Sequence, residues 1–214
     1  MKWGWRCRNL IAIVDYGVGN LGSIANMLKK VGAASAISSD PAVIEAADKL
    51  ILPGVGAFDD GMKNLTERGL TELLNVQVLQ RKKPILGLCL GMQLFTRRSE
   101  EGQLPGLSWM NAETVRFKFD EPNPQLKIPH MGWNTLQIRH PHPLLADLGA
   151  DARFYFVHSY HVSCADAGNV LAETNYGYDF ASVVVRENIL GAQFHPEKSH
   201  KFGMKLLKNF AERV

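Results

Sequence analysis

The strongest constraint on this chain is the way its first half alternates short, unbroken apolar runs with segments of helical periodicity. Leu10-Ile11-Ala12-Ile13-Val14 is continuous apolar sequence, the pattern of a strand covered on both faces. After a glycine turn, Leu21, Ile24, Ala25, Leu28 and Val31 recur at three- and four-residue steps, so they share one helix face, and Gly32 is placed to end that helix. Residues 34–38 and 49–52 read as the next strands. Apolar positions over 65–79 predict a helix that breaks before Pro84, and 85–88 predicts another buried strand. Strands alternating with helices imply βαβ units, hence parallel strands with helices on both faces. The second half differs. Residues 105–143 are rich in proline, histidine and asparagine, and strand-like runs then follow at 154–157, 182–185 and 189–194. A last amphipathic helix carries Phe202, Leu206 and Phe210 on one face. The expected fold is α/β: an open, mostly parallel mixed sheet flanked by helices, with antiparallel additions in the C-terminal half.

Composition narrows the function classes. With 46% hydrophobic and 21% charged residues, the 214-residue chain can bury one sizeable core. No repeat, low-complexity tract or long linker divides it, so 10–214 is expected to be a single domain behind an extra leader, 1–9. That leader is basic (Lys2, Arg6, Arg8), but the apolar stretch after it stops at Asp15. A secretory signal needs about 7–15 apolar residues there, and no run approaches the ~18 of a membrane span. Lys+Arg 24 against Asp+Glu 21 leaves a net charge of +3, too little for a nucleic-acid binder. Three cysteines (Cys7, Cys89, Cys164) cannot build a disulfide framework, which predicts a reducing, cytoplasmic setting. No Cys/His cluster has metal-ligand spacing, and no cofactor or metal is called for.

Gly87-Leu88-Cys89-Leu90-Gly91 has the form of a nucleophile elbow with cysteine in place of serine. Such an elbow turns sharply from strand to helix, lifts the nucleophile above the sheet, and needs glycines where neighbouring side chains would collide. A helix N-terminus behind Cys89 would favour thiolate. The competing reading is a small buried core cysteine, which the flanking glycines, strand and helix disfavour. Cys7 and Cys164 have no such context. A cysteine nucleophile wants a base and a group to orient it. Of seven histidines, His195 stands apart: it ends the apolar run 189–194 and is followed by Pro196 and Glu197. Glu197 could hold the ring while its other nitrogen faces Cys89; a loop-capping His-Pro is the alternative. His130, His140, His142, His158, His161 and His200 are expected on the surface, in loops or in a substrate wall.

Gly17-Val18-Gly19-Asn20-Leu21-Gly22 is a literal G-x-G-x-x-G after a strand, with Asp40 where a ribose-binding acid would be sought. It proposes an NAD-binding oxidoreductase. Against this, Asp15 and Tyr16 lengthen a turn that should be tight, and no second nucleotide-binding half follows.

The elbow Gly87 to Gln93, together with Gln193-Phe194-His195-Pro196-Glu197, resembles the class I, or triad, glutamine amidotransferases. Further blocks are similar to the glutaminase subunits of imidazole glycerol phosphate synthases. They are Asp15-Tyr16-Gly17-Val18-Gly19-Asn20, Leu52-Pro53-Gly54-Val55-Gly56, Pro129-His130-Met131-Gly132-Trp133-Asn134, Phe156-Val157-His158-Ser159-Tyr160 and His195-Pro196-Glu197-Lys198-Ser199, in family order. The resemblance implies that Cys89 attacks the amide of glutamine, that His195 protonates the leaving ammonia and then activates water, and that Glu197 orients His195. It implies an oxyanion held by the backbone N–H groups of Leu90 and Val55. Gly54, Gly56, Gln93, Ser159 and Tyr160 match positions that hold the substrate. Met131, Trp133, Asn134, Tyr155 and Lys198 match positions at or near the docking face of a cyclase subunit, the other half of a heterodimer, which receives the ammonia for histidine biosynthesis. An exposed Trp-Met patch is what an interface core needs; a buried core Trp133 is the rival reading. Low glutaminase activity is expected without the partner. Related pairs amidate surface-sugar precursors with a nearly identical glutaminase, which leaves a second pathway open. The chain departs from the family's pattern at 1–9, which is extra, and at Gly106-Leu107-Ser108-Trp109, which keeps only part of a glycine-rich turn.

Overall fold

Strand β1 (Ile11–Val14) is fully buried, and its residues divide alternately between two cores. Ile11 and Ile13 face one cluster and Ala12 and Val14 the other, as the two-residue period of a strand requires. The computed structural model describes residues 9–119 and 126–214; Met1 to Arg8 of the expected leader lie outside it. Helix α1 (Leu21–Lys30) follows β1 and ends through Gly32, whose φ of +80° suits the left-handed position after a helix. Strand β2 (Ser35–Ser38) then pairs in parallel with β1 on one side, and β3 (Lys49–Gly54) does so on the other. Between them α2 (Pro41–Ala46) was not anticipated, although its signals are plain: proline at its first position and Asp40, whose carboxylate accepts the Ala42 N–H at 2.8 Å. Asp40 is therefore a helix cap, not a ribose ligand.

The helix expected over 65–79 begins earlier and is broken. It comprises α3 (Phe58–Glu67) and α4 (Leu70–Asn75), separated by Gly69 at φ +67°, with a π-turn over Val76–Gln80. Then β4 (Ile85–Cys89) enters beside β3, and a single helical turn, α5 (Leu90–Gln93), leaves it.

Residues 105–143, which carried no regular pattern, supply β5 (Ala112–Arg116), β6 (His130–Thr135) and β7 (Gln137–Ile138). They are followed by β8 (Arg153–His158), β9 (Tyr160–Cys164), β10 (Val170–Tyr176), β11 (Tyr178–Arg186), β12 (Ile189–Ala192) and the long helix α6 (His200–Arg213). The main sheet runs β2-β1-β3-β4-β12-β11-β10-β7, with β9 joined to β11 and β5 to β9; β6 and β8 form a separate antiparallel pair. All pairings from β2 to β12 are parallel, and those beyond are antiparallel. This is the mixed α/β sheet the periodicities predicted. Its decisive feature is that β12, a hundred residues later in the chain, inserts beside β4 with Ala192 opposite Leu88. Among the described residues no helix is long and apolar enough to cross a membrane.

Candidate active site

Cys89 sits where β4 becomes α5, at φ 53° and ψ −109°. That backbone region is costly for a residue with a side chain. It is held by packing that only glycine permits. A Cβ on Gly91 would stand 1.8 Å from the Leu52 carbonyl oxygen, and one on Gly87 would stand 2.6 Å from the Phe95 ring and 2.7 Å from the Met92 nitrogen. The elbow's two glycines are thus steric requirements. One expectation is corrected: the helix behind Cys89 is only one turn, Leu90–Gln93, so no long macrodipole stands behind the sulfur. Groups outside that turn must assist the sulfur.

His195 is one of them. It leaves the sheet just after β12, and its backbone is pinned from three directions. Its N–H donates to the Tyr155 carbonyl at 2.9 Å, and its own carbonyl accepts from Ser199 Oγ at 2.6 Å and from the Lys198 N–H at 3.1 Å. Its Nδ1 lies 2.9 Å from Glu197 Oε1, with both side chains almost wholly buried. Burial alone would push the imidazole down. Hydrogen bonding and charge from Cys89 and Glu197 outweigh it and hold His195 up at about 10. Cys89 and His195 line one cavity of about 520 Å³, and Glu197 lies behind the ring. Chemically, this is a sulfur nucleophile beside an imidazole that retains its proton, with a carboxylate fixing the ring.

The parallel register sets the rest of the site. Gly54 is opposite Cys89, so Val55 comes to the mouth of the same pocket as Leu90. Leu90 is the first residue of its helix, where the N–H has no intrahelical acceptor. Val55 is exposed and Gly56 adopts φ +105°, a backbone conformation glycine takes without strain, just past an otherwise buried strand. Of the substrate positions named from sequence, Gly56, Gln93, Ser159 and Tyr160 line the cavity and Gly54 does not. Gly54 lies beneath it, where a Cβ would meet the Tyr16 hydroxyl at 2.4 Å and Leu90 Cβ at 2.8 Å. Tyr16 is buried there and donates to the Pro53 carbonyl at 2.6 Å. The glycine motif that suggested a nucleotide turn is part of this support. Gly17 and Gly19 have positive φ, and Gly19 packs against Pro53 and Gly54. A Cβ on Gly22 would meet nothing within 4 Å, whereas the third glycine of a dinucleotide turn exists to let helix and strand approach closely.

Residues that sequence reasoning did not place also line the cavity. Glu101 is there, its carboxyl pushed up by burial and its Oε2 accepting the Phe58 N–H at 2.9 Å. His158 is in the wall as expected, but it is deeply buried, as are His130 and His161, which were expected outside the core. They form an aromatic cluster with Phe117, Phe156 and Phe180; burial holds all three below the ordinary histidine value. Only the alternation of buried His130 with exposed Met131 and Trp133 along β6 could have signalled this.

Met131 and Trp133 are 62% and 45% exposed, so Trp133 is not a core residue. Trp133 stacks on His200 at 5.4 Å and meets the Tyr155 ring edge-on at 6.0 Å, while Lys198 Nζ lies 5.5 Å from that ring. Asn134 is half-buried, on the opposite face of β6 from Trp133, and donates to the Asn175 carbonyl at 2.9 Å. Lys198 also lines the Cys89 cavity, so this aromatic patch and the cavity are contiguous. Among the described residues, no group of three or more His, Cys, Asp or Glu side chains could hold a metal ion.

Comparison with known proteins agrees with this geometry. Residues 12–214 match the family model described as glutamine amidotransferase class-I. The imidazole glycerol phosphate synthase subunit HisH 2 of Methanococcus maripaludis is 54% identical over 205 residues, 96% of this chain and 100% of that protein. The protein of the same name from Pseudomonas aeruginosa is 51% identical with the same coverage. A crystal structure of a glutamine amidotransferase from Thermotoga maritima superposes with a TM-score of 0.69 at 15% identity, covering 95% of this chain and 96% of that one.

Proposed function

The chain belongs to the class-I glutamine amidotransferase family, and from that premise we propose that it is the glutaminase subunit of an imidazole glycerol phosphate synthase. It hydrolyses glutamine to glutamate and ammonia and passes the ammonia to a cyclase subunit, its heterodimer partner, in histidine biosynthesis. The reading rests on one observation above all. β4 lies between β3 and β12, so that Cys89, His195 and the Pro53-Gly54-Val55 segment meet at the C-terminal ends of three neighbouring parallel strands.

In this reading the Cys89 sulfur attacks the side-chain amide carbon. The oxyanion is taken by the Leu90 N–H and, once its peptide has turned toward the pocket, by the Val55 N–H; losing one such donor costs about 2.7–4 kcal/mol. The His195 imidazolium gives its proton to the leaving nitrogen, ammonia departs, and a glutamyl thioester remains. Neutral His195 then removes a proton from water, which attacks the thioester and returns the thiol. Glu197 keeps the ring aimed throughout. Glu101, a carboxylate in the cavity wall, suits the substrate's ammonium group. Ammonia reacts only while unprotonated, so it needs a dry exit, and Met131, Trp133, Tyr155 and Lys198 form the patch that docks the cyclase. Residues 10–214 act as one domain in the cytoplasm, where the Cys89 thiol stays reduced.

A second acceptor is favoured by one detail. Both relatives bear the numbered name HisH 2, and a glutaminase of this kind can equally supply a cyclase-like partner that amidates a surface-sugar precursor. Complementation of a histidine auxotroph separates the two pathways. The glutaminase itself is tested by Cys89→Ala. Glutamine-dependent synthesis is expected to vanish while synthesis from added ammonium with the cyclase survives; retained glutamine hydrolysis would overturn the assignment.

A further inference from the structure

Gln193 is wholly buried, follows the last residue of β12, and stands beside Cys89 because Ala192 is paired with Leu88. Its Nε2 is 3.7 Å from Cys89 Sγ, and its Oε1 is 3.2 Å from Gln93 Nε2. Which end of a glutamine amide faces a neighbour follows from its hydrogen bonds, and here a single group decides. The Tyr160 carbonyl can only accept, and it lies 2.9 Å from the Gln93 amide, so Gln93 must present its NH₂ there. The second hydrogen of that NH₂ then needs an acceptor, which is Gln193 Oε1. Gln193 is left with its own NH₂ against the sulfur. The polarity of the chain from Tyr160 to Gln93 to Gln193 to Cys89 is fixed by one backbone oxygen.

We propose that Gln193 is a catalytic residue: its side-chain amide donates an N–H to the Cys89 sulfur and stabilises the thiolate that attacks glutamine. The proposal rests on the glutaminase reading for the identity of the reaction, and on geometry for the contact. It supplies what a one-turn helix cannot, a second directed donor beside His195. A donor to sulfur is worth most when the sulfur is charged. It therefore favours thiolate over thiol, and the free thiolate over the neutral thioether-like sulfur of the acyl-enzyme, so it acts on formation of the nucleophile rather than on substrate binding. The other titratable or charged groups around this site are His195 with Glu197 behind it, Tyr16 beneath the β3 end, and Glu101 and Lys198 in the cavity wall.

The test uses the full chain with Gln193→Met, which keeps length and removes the donor, and Gln193→Leu as a second variant should the first fold poorly. Circular dichroism and cyclase binding report folding. The readout is the pH dependence of Cys89 alkylation by iodoacetamide, followed on its own peptide by mass spectrometry with Cys89→Ala as background. It needs neither glutamine nor the cyclase, so it stands or falls apart from the pathway. A folded variant is expected to move the thiolate inflection upward by about one pH unit. It is also expected to lower kcat for glutamine about tenfold while KM stays near the wild-type value. An unchanged inflection in a folded variant overturns the proposal, as does a loss confined to KM. If the inflection rises in the folded variants but the complete enzyme does not use glutamine, the proposed function fails and the sulfur contact stands.

Discussion

Glu197→Gln is the most informative single change to this site. The carboxylate is 2.9 Å from His195 Nδ1, both side chains are about 96% buried or more, and the substitution preserves shape while removing one charge. With charge centres about 4 Å apart, the attraction between carboxylate and imidazolium is about 4 kcal/mol at an effective dielectric of about 20. The glutamine carbonyl still accepts the Nδ1–H, and a neutral hydrogen bond returns about 1 kcal/mol. The net loss is then about 2–3 kcal/mol, or about 30- to 150-fold in the rate of ammonia release. The same energy lowers the proton affinity of His195 by about 1.5–2 pH units. His195 titrates at about 10, above its ordinary 6.5, so the stabilisation linked to its proton is complete below 6.5 and is lost as pH rises through about 10. In the variant that loss comes near pH 8. Single-turnover glutamine hydrolysis with saturating cyclase, followed from pH 6 to 10.5, should show the alkaline limb displaced downward and KM little changed. A rate within about threefold of wild type and an unmoved alkaline limb would refute the orienting and charge-holding role of Glu197.

The steric account of the elbow predicts that Gly91→Ala destabilises the protein by more than about 3 kcal/mol, because its methyl group would overlap the Leu52 carbonyl in a central strand. Gly22→Ala is the matched control in α1, where a methyl meets nothing, and should stabilise by about 0.5–1 kcal/mol in urea unfolding; destabilisation there would reopen the close-packed nucleotide turn. Trp133→Ala should leave the melting temperature nearly unchanged yet weaken cyclase binding by about 2 kcal/mol, roughly 30-fold, in titration calorimetry. A variant that unfolds without losing affinity would return Trp133 to the core.

Most of the fold was legible where each element carries its own signal. The run Leu10 to Val14 and the strand before Cys89 are apolar throughout because both faces are covered, and α1 shows its period and its terminating glycine. Legibility failed where the signal is not local. β6 reads as a loop because its one buried position is His130, and histidine enters a core only when aromatic neighbours such as Phe156, Tyr176 and Phe180 from β8, β10 and β11 surround it. The break at Gly69 was hidden because the apolar positions on either side continue at helical spacing.

The elbow could be recognised from sequence because its requirements are short-range: within five residues, Gly87 and Gly91 remove the side chains that would block the turn, and Cys89 occupies its apex. The motif also pointed to a histidine and a carboxylate two residues apart, since Nδ1 and Oε1 meet within one turn of backbone. Only the tertiary structure decided that these two pieces belong to one site. The insertion of β12 beside β4 brings His195 and Gln193 to the sulfur, and the register of β3 sets Val55 next to Leu90. Those contacts join residues separated by tens to a hundred positions. Their geometry is fixed by strand pairing and by the packing of two cores, which no local pattern of residue types encodes.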